Sequence, residues 1–198
     1  CSSDLGTGQV PSSPMTTRVI TSGVSQIAAG ENHSLFVKTD GSLWGMGSNQ
    51  FGQLGLTGTG QTTLPVQIIA SGVSRIVADG NHSLFLKTDG SLWAMGSNAD
   101  GQLGLGGTGQ VAVATNVVSS GVTRLATGRA HSLFAKSDGS LWAMGSNANG
   151  QLGTGDRNAT NLPVLVQASG MNLPSASLPA SQTHAWYGLY LNGEEQAS

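Results

Sequence analysis

The 198-residue chain has 8 basic and 10 acidic residues and a formal net charge of −2; 9% of its residues are charged and 38% are hydrophobic. It carries no basic run that would leave an electrostatic footprint for nucleic acid, and no apolar stretch near the ~18 residues of a membrane helix. Its single cysteine, Cys1, excludes an internal disulfide, and its 30 glycines, about twice average usage, imply many tight turns.

Residues 1–14 are rich in Ser, Gly, Thr and Pro and read as a flexible N-terminal linker. Residues 15–21 align with the segment from Leu64 and are expected to supply a strand of another blade. The chain then says one thing three times, in segments that start at Ser22, Ser71 and Ser120, 49 residues apart. A strict period of this length marks a solenoid, propeller or array. Within the first repeat, Val24–Ala29, Ser34–Lys38 and Ser42–Gly47 are strand candidates. Asp40-Gly41 between the last two, and Asp89-Gly90 and Asp138-Gly139 after it, predict hairpins with two-residue type I′ turns. A fourth strand is expected at Pro65–Ile69, Ala114–Val118 and Pro163–Val166.

Four short strands per unit predict an all-β fold, a β-propeller of four-stranded antiparallel blades. Blades fall near 24–69, 73–118 and 122–167, within a repeat region spanning 15–170. About three complete blades imply an open or incomplete arc. Alternating residues of the strands are apolar on both faces, so each blade must be covered on both sides; Trp44, Trp93 and Trp142 are expected to fill the gap to the next blade. Residues 171–198 fall out of register and read as a degenerate fourth repeat or an irregular tail.

The residues HSLFxKxDGSLWxMGSNxxGQLG resemble the regulator of chromosome condensation repeat family over residues 15–170. The resemblance implies a propeller, commonly of seven blades, that acts as a protein-binding platform. The family includes a eukaryotic exchange factor for a small GTPase and a bacterial secreted type that docks one propeller face onto β-lactamases. The near-identical repeats look more like the bacterial group. Cys1-Ser2-Ser3 and the linker behind it also resemble the mature start of a bacterial lipoprotein, which implies a lipid on Cys1 and an extracytoplasmic, cell-surface or secreted location.

His33, His82 and His131 invite a metal reading, but equivalent residues of successive blades stand roughly 10 Å apart and cannot share one ion. Each is expected to bond a neighbouring backbone group. Asp40, Asp89 and Asp138 are explained as turn residues, and Lys38, Lys87 and Lys136 as exposed strand-end charges. With no nucleophile, metal or phosphate motif, no catalytic residue, cofactor or metal is expected, and the chain is read as a non-enzymatic protein.

The three repeats differ mainly in their loops, where binding residues of rigid repeat scaffolds usually lie. The candidates for partner binding are Glu31, Phe51, Asp79, Asp100, Arg129, Asn149, Asp156 and Arg157. Phe51, an aromatic on a loop tip, is the expected anchor. The partner is a protein of unidentified nature, with self-association through open blade edges as a further expectation. Three alternatives stand beside this reading. One is a secreted enzyme inhibitor of the β-lactamase-inhibitor type. Another is a glycan-acting propeller enzyme, for which Glu194-Glu195 is the carboxylate pair visible in the sequence. The third is a fragment of a longer repeat protein.

Overall fold

The computed structural model describes residues 18–58 and 60–167. Its twelve strands form three four-stranded antiparallel sheets, and there is no helix among the described residues. The first sheet holds β1 (Val24–Ala29), β2 (His33–Lys38), β3 (Leu43–Ser48) and β4 (Gln61–Ile69). The second holds β5 (Val73–Asp79), β6 (His82–Lys87), β7 (Leu92–Gly96) and β8 (Val111–Val118). The third holds β9 (Val122–Gly128), β10 (His131–Lys136), β11 (Leu141–Gly145) and β12 (Thr160–Gln167). Neighbours in each sheet are neighbours in sequence, so each blade is a plain meander. The linker 1–14, residues 15–17 of the expected extra strand and the tail 171–198 lie outside the described residues; residues 18–21 are irregular.

β4 is longer than its sequence suggested, running through Pro65, which cannot donate to a ladder. It can do so because β4 is the outer edge of its sheet. The hairpins sit where the Asp-Gly pairs place them, but the turn type is corrected. Gly41 N donates to Lys38 O at 2.9 Å and Lys38 N to Ser42 O at 3.0 Å, and the same two bonds recur in the other blades. The loop is therefore three residues long, a turn centred on Thr39-Asp40 followed by Gly41 at φ +78°. Asp40 takes its place for another reason. Its carboxylate accepts from Ser42 N at 2.9 Å and Ser42 Oγ at 2.6 Å, and Ser42 Oγ accepts from Trp44 Nε1 at 2.9 Å.

Blades pack face to face. Leu35, Val37, Leu43 and Leu54 of the first blade form one buried cluster with Val73, Ile76, Phe85 and Met95 of the second. Leu84, Leu86, Leu92 and Leu103 of the second form another with Val122, Phe134 and Met144 of the third. Trp93 and Trp142 belong to these clusters, but each leans toward the preceding blade rather than the next. Each tryptophan also stacks on the phenylalanine of its own blade, with ring centroids 6.2 Å apart. The lysines expected as exposed strand-end charges lie over these rings instead, Lys38, Lys87 and Lys136 Nζ standing 4.2, 4.1 and 4.8 Å from the centroids.

A polar relay crosses each joint. Ser83 Oγ donates to Gln53 O at 2.8 Å and lies 2.8 Å from His33 Nε2; Ser132 Oγ donates to Gln102 O at 2.8 Å and lies 3.1 Å from His82 Nε2. The histidines thus reach a hydroxyl of the following blade, not the backbone group expected. Ser132→Ala should leave His82 and the Gln102 carbonyl without partners inside the joint. We expect a loss of about 1–3 kcal/mol of unfolding free energy. Ser34→Ala, at the same position of the first blade, should cost less than about 0.5 kcal/mol in dilute solution. Urea titrations of both variants check the contrast.

Candidate functional site

Because every blade is a meander, its β1–β2 type turn and its β3–β4 type loop emerge at the same end of the strands. The Asp-Gly hairpins emerge at the other. All eight candidate residues therefore share one end of the array. Glu31, Asp79 and Arg129 come from the inner turns; Phe51, Asp100, Asn149, Asp156 and Arg157 come from the outer loops.

The inner turns meet. Strands β1, β5 and β9 are the adjacent, innermost strands of their blades. Glu31 N donates to Gly80 O at 2.8 Å, and Asn81 Nδ2 reaches Glu31 Oε2 at 3.4 Å. Gly80 is packed so close to the Arg129 carbonyl that a Cβ there would lie 2.7 Å from it. Around these contacts lies a solvent-open cleft of about 340 Å³, lined by Ala29, Gly30, Glu31, Asp79, Gly80 and Arg129. It joins two carboxylates and one guanidinium from three blades.

The outer loops are built on buried amides. Asn49, Asn98 and Asn147 Oδ1 accept from the backbone N of Leu54, Leu103 and Leu152 at 2.9, 2.9 and 3.0 Å. Their Nδ2 groups hold carbonyls of the long loop, Gly58 at 2.6 Å and Gly107 at 2.7 Å in the first two blades. Gln53, Gln102 and Gln151 Oε1 accept from the backbone N of Phe51, Asp100 and Asn149 at 2.8, 3.0 and 2.9 Å. The tip residues thus have pinned backbones and exposed side chains, and Phe51 is 39% exposed. Asp156 differs. Its carboxylate accepts from Thr154 Oγ1, Asn158 N and Asn158 Nδ2 at 2.9, 3.1 and 3.1 Å, which holds it below the usual carboxylate range and ties it to its own loop. Arg157 beside it is exposed.

The sequence did not reveal the amide clamps or the serine relay. In each case the signal was a polar residue kept at the same position of all three copies, at Asn49, Gln53 and Ser83 and their equivalents. Among the described residues no group of three or more potential metal ligands forms.

Each hydroxyl of the relay donates to a carbonyl, so it accepts from the histidine, and Nε2 carries the proton. Nδ1 of His33 and of His82 is buried without a partner. Burial pushes both rings from 6.5 down to about 4. The folded state therefore takes up these protons more weakly than the unfolded chain. Stability is complete above about pH 6.5 and declines as the pH falls toward about 4, by on the order of 3 kcal/mol per histidine. Thermal unfolding followed across this window should show the decline, and His82→Gln should reduce it by about half, leaving the part due to His33. Asp40, Asp89 and Asp138 are held below the usual carboxylate range by their serine hydroxyls and backbone N–H groups, so their contribution is lost only at lower pH.

Three meander blades stacked face to face, with the loops of each at a common end, define a propeller-type repeat array. Two profiles of the Regulator of chromosome condensation (RCC1) repeat match the chain, one over residues 24–53, 73–102 and 122–151, the other over 40–86, 89–135 and 138–184. The chain belongs to this family. No curated protein sequence gives a significant match. Among solved structures, it is similar to human WBSCR16 (TM-score 0.65, 26% identity), with 72% of this chain and 37% of that chain covered. It is also similar to Prp20p from Saccharomyces cerevisiae, described with its binding to Gsp1p and histones (TM-score 0.67, 25% identity, 74% of this chain and 39% of that chain). The yeast RCC1 (Prp20) in a structure with bound Kap60 is similar too (TM-score 0.66, 25% identity, 74% and 37%). The chain thus spans between a third and two fifths of the length of these proteins.

Proposed function

We propose that the loop-bearing end of the array is a docking surface for a protein partner and that the chain works by binding, without catalysis. The observation that carries this reading is the convergence of Glu31, Asp79 and Arg129, residues that differ between otherwise near-identical blades, on one open cleft. A variable surface on an invariant scaffold is how repeat proteins carry specificity. Phe51 adds an apolar contact at the rim, and its pinned backbone limits the entropy lost on binding. The binding of proteins by Prp20p, a similar propeller, supports the same use of this fold. A fitting partner places a basic group against Glu31 and Asp79 and an acidic group against Arg129. An extracellular enzyme held by an inhibitor of the β-lactamase type is one such partner, and a lipid on Cys1 would keep the chain at the cell surface.

Photo-crosslinking from position 51 identifies the partner, and calorimetry then measures it. Arg129→Glu and Phe51→Ala should each weaken binding at least about tenfold, near 1.4 kcal/mol. Thr39→Ala and Thr88→Ala, exposed at the opposite end, should leave it unchanged. Undiminished binding by both loop variants would remove the placement.

A second reading rests on the same cleft. It contains two carboxylates, Glu31 and Asp79, on neighbouring blades. A glycan-acting enzyme uses such a pair, one as acid and one as base or nucleophile. This reading expects turnover on a panel of oligosaccharides that is abolished in Asp79→Asn. The binding reading expects none in either protein.

A further inference from the structure

The outer loop tips share one construction and differ in content: Gln50-Phe51-Gly52, Ala99-Asp100-Gly101 and Ala148-Asn149-Gly150. Of the described asparagines, Asn149 alone precedes a glycine. A glycine N–H has no Cβ beside it, so it approaches the preceding side-chain carbonyl with the least hindrance. Most other asparagine amides are engaged. Nδ2 of Asn49, Asn98 and Asn147 holds carbonyls of the long loops. Asn116, Asn158 and Asn161 Nδ2 donate to Leu92 O, Asp156 Oδ2 and Gly106 O at 3.3, 3.1 and 3.1 Å. Asn32 is exposed, but His33 follows it. Asn149 is exposed, and among the described residues its side-chain amide makes no hydrogen bond; its main-chain N donates to Gln151 Oε1 at 2.9 Å.

The product of hydrolysis at this amide is already present in the chain. Asp100 stands at the same place in the second blade. Asp100 N donates to Gln102 Oε1 at 3.0 Å, Gly101 N donates to Asn98 O at 3.0 Å, and Gly101 has φ +80°. At the third tip the Asn149 N bond is 2.9 Å, Gly150 N donates to Asn147 O at 2.9 Å, and Gly150 has φ +76°. An aspartate at position 149 therefore needs no rearrangement of its loop. Asp100 is exposed with a following blade in place, so the exposure of Asn149 belongs to the tip itself.

We propose that Asn149 is a site of spontaneous covalent modification, where the side-chain amide is converted to a carboxylate through a cyclic imide. Gly150 N loses its proton to solvent and attacks Cγ of Asn149. The new N–Cγ bond closes a succinimide ring, the Cγ–Nδ2 bond breaks, and ammonia leaves. One water then opens the ring at either carbonyl and gives aspartate or isoaspartate. The net change consumes one water and releases one ammonia, and nothing is oxidised or reduced. The Gly150 N–Asn147 O bond must open before the ring can close, so local opening of the turn sets the rate. Isoaspartate puts an extra main-chain carbon between two anchored groups, Asn149 N and Gly150 N, and does not fit the same pair of bonds. The aspartate product fits both, as the second blade shows. One carboxylate more takes the formal charge from −2 to −3 and adds to Glu31, Asp79, Asp100 and Asp156 at the loop-bearing end. On the docking reading above, it strengthens the hold on a basic partner; the conversion itself does not rest on that reading.

Peptide mapping by mass spectrometry tests it on the full chain alone, incubated at mildly alkaline pH with no partner present. The peptide carrying Asn149 should gain the mass of an amide-to-acid exchange with time, ammonia appearing in step, while Asn49, Asn98 and Asn147 remain amides. The map separates Asn149 from Asn192-Gly193, a second Asn-Gly pair, which lies outside the described residues. Asn149→Gln should abolish the change in this peptide. Gln151→Ala frees Asn149 N and should speed the conversion about fivefold, the share of one hydrogen bond in the opening of the turn. Asn149→Asp should unfold at the wild-type urea midpoint, and melting curves confirm that each variant is folded. An Asn149 that stays unchanged while a short peptide of residues 148–152 converts in full overturns the proposal. So does faster conversion at Asn32 or Asn158 than at Asn149.

Discussion

A β-sheet that is apolar on both faces is stabilised by covering both of them. Every blade of this chain is such a sheet, and the rest of the structure follows from that constraint. Leu35, Val37 and Leu43 project to one side and Phe85, Met95 and Ile76 of the next blade arrive from the other. The sheet is only four strands wide, so burial is achieved by stacking rather than by widening. Charged residues are scarce because little of each blade is left to carry them.

The same constraint explains why so few polar residues vary among the repeats. A polar group inside a blade joint costs free energy unless it is bonded there. Serine, histidine and a glutamine carbonyl satisfy one another across the joint. At the opposite end of the strands, aspartate, serine, tryptophan and lysine form a second closed set, from carboxylate to hydroxyl to indole to ammonium. These residues attract catalytic or metal readings when seen in isolation. In place, each is committed to a neighbour.

Much of this was legible in the sequence, and the limits have physical causes. The 49-residue period and the alternation of apolar residues fix the number, order and two-sided character of the strands, because side-chain direction along a strand has a period of two. The turn type was misread at Asp40-Gly41 because the pair also begins the hydrogen-bond chain to Trp44, and that bond dictates the aspartate. The serine relay was missed because its partners sit 50 residues apart, on different blades. The meeting of Glu31, Asp79 and Arg129 depends on how closely inner strands approach, which no local pattern encodes. By contrast Phe51, Asp100 and Asn149 were placed on loop tips from the repeat alignment alone, since only the loops there depart from identity.

The buried amides beneath those tips have a consequence for change over time. Asn49 and Gln53 fix the path of their loop through bonds to main-chain atoms, and none of these bonds involves the side chain of Phe51 or its counterparts. The side chain at the tip therefore takes no part in the bonds that set the path of the loop. The same backbone bond forms beneath an aspartate and an asparagine in the second and third blades. A scaffold of this kind separates the inheritance of its architecture from the inheritance of its specificity.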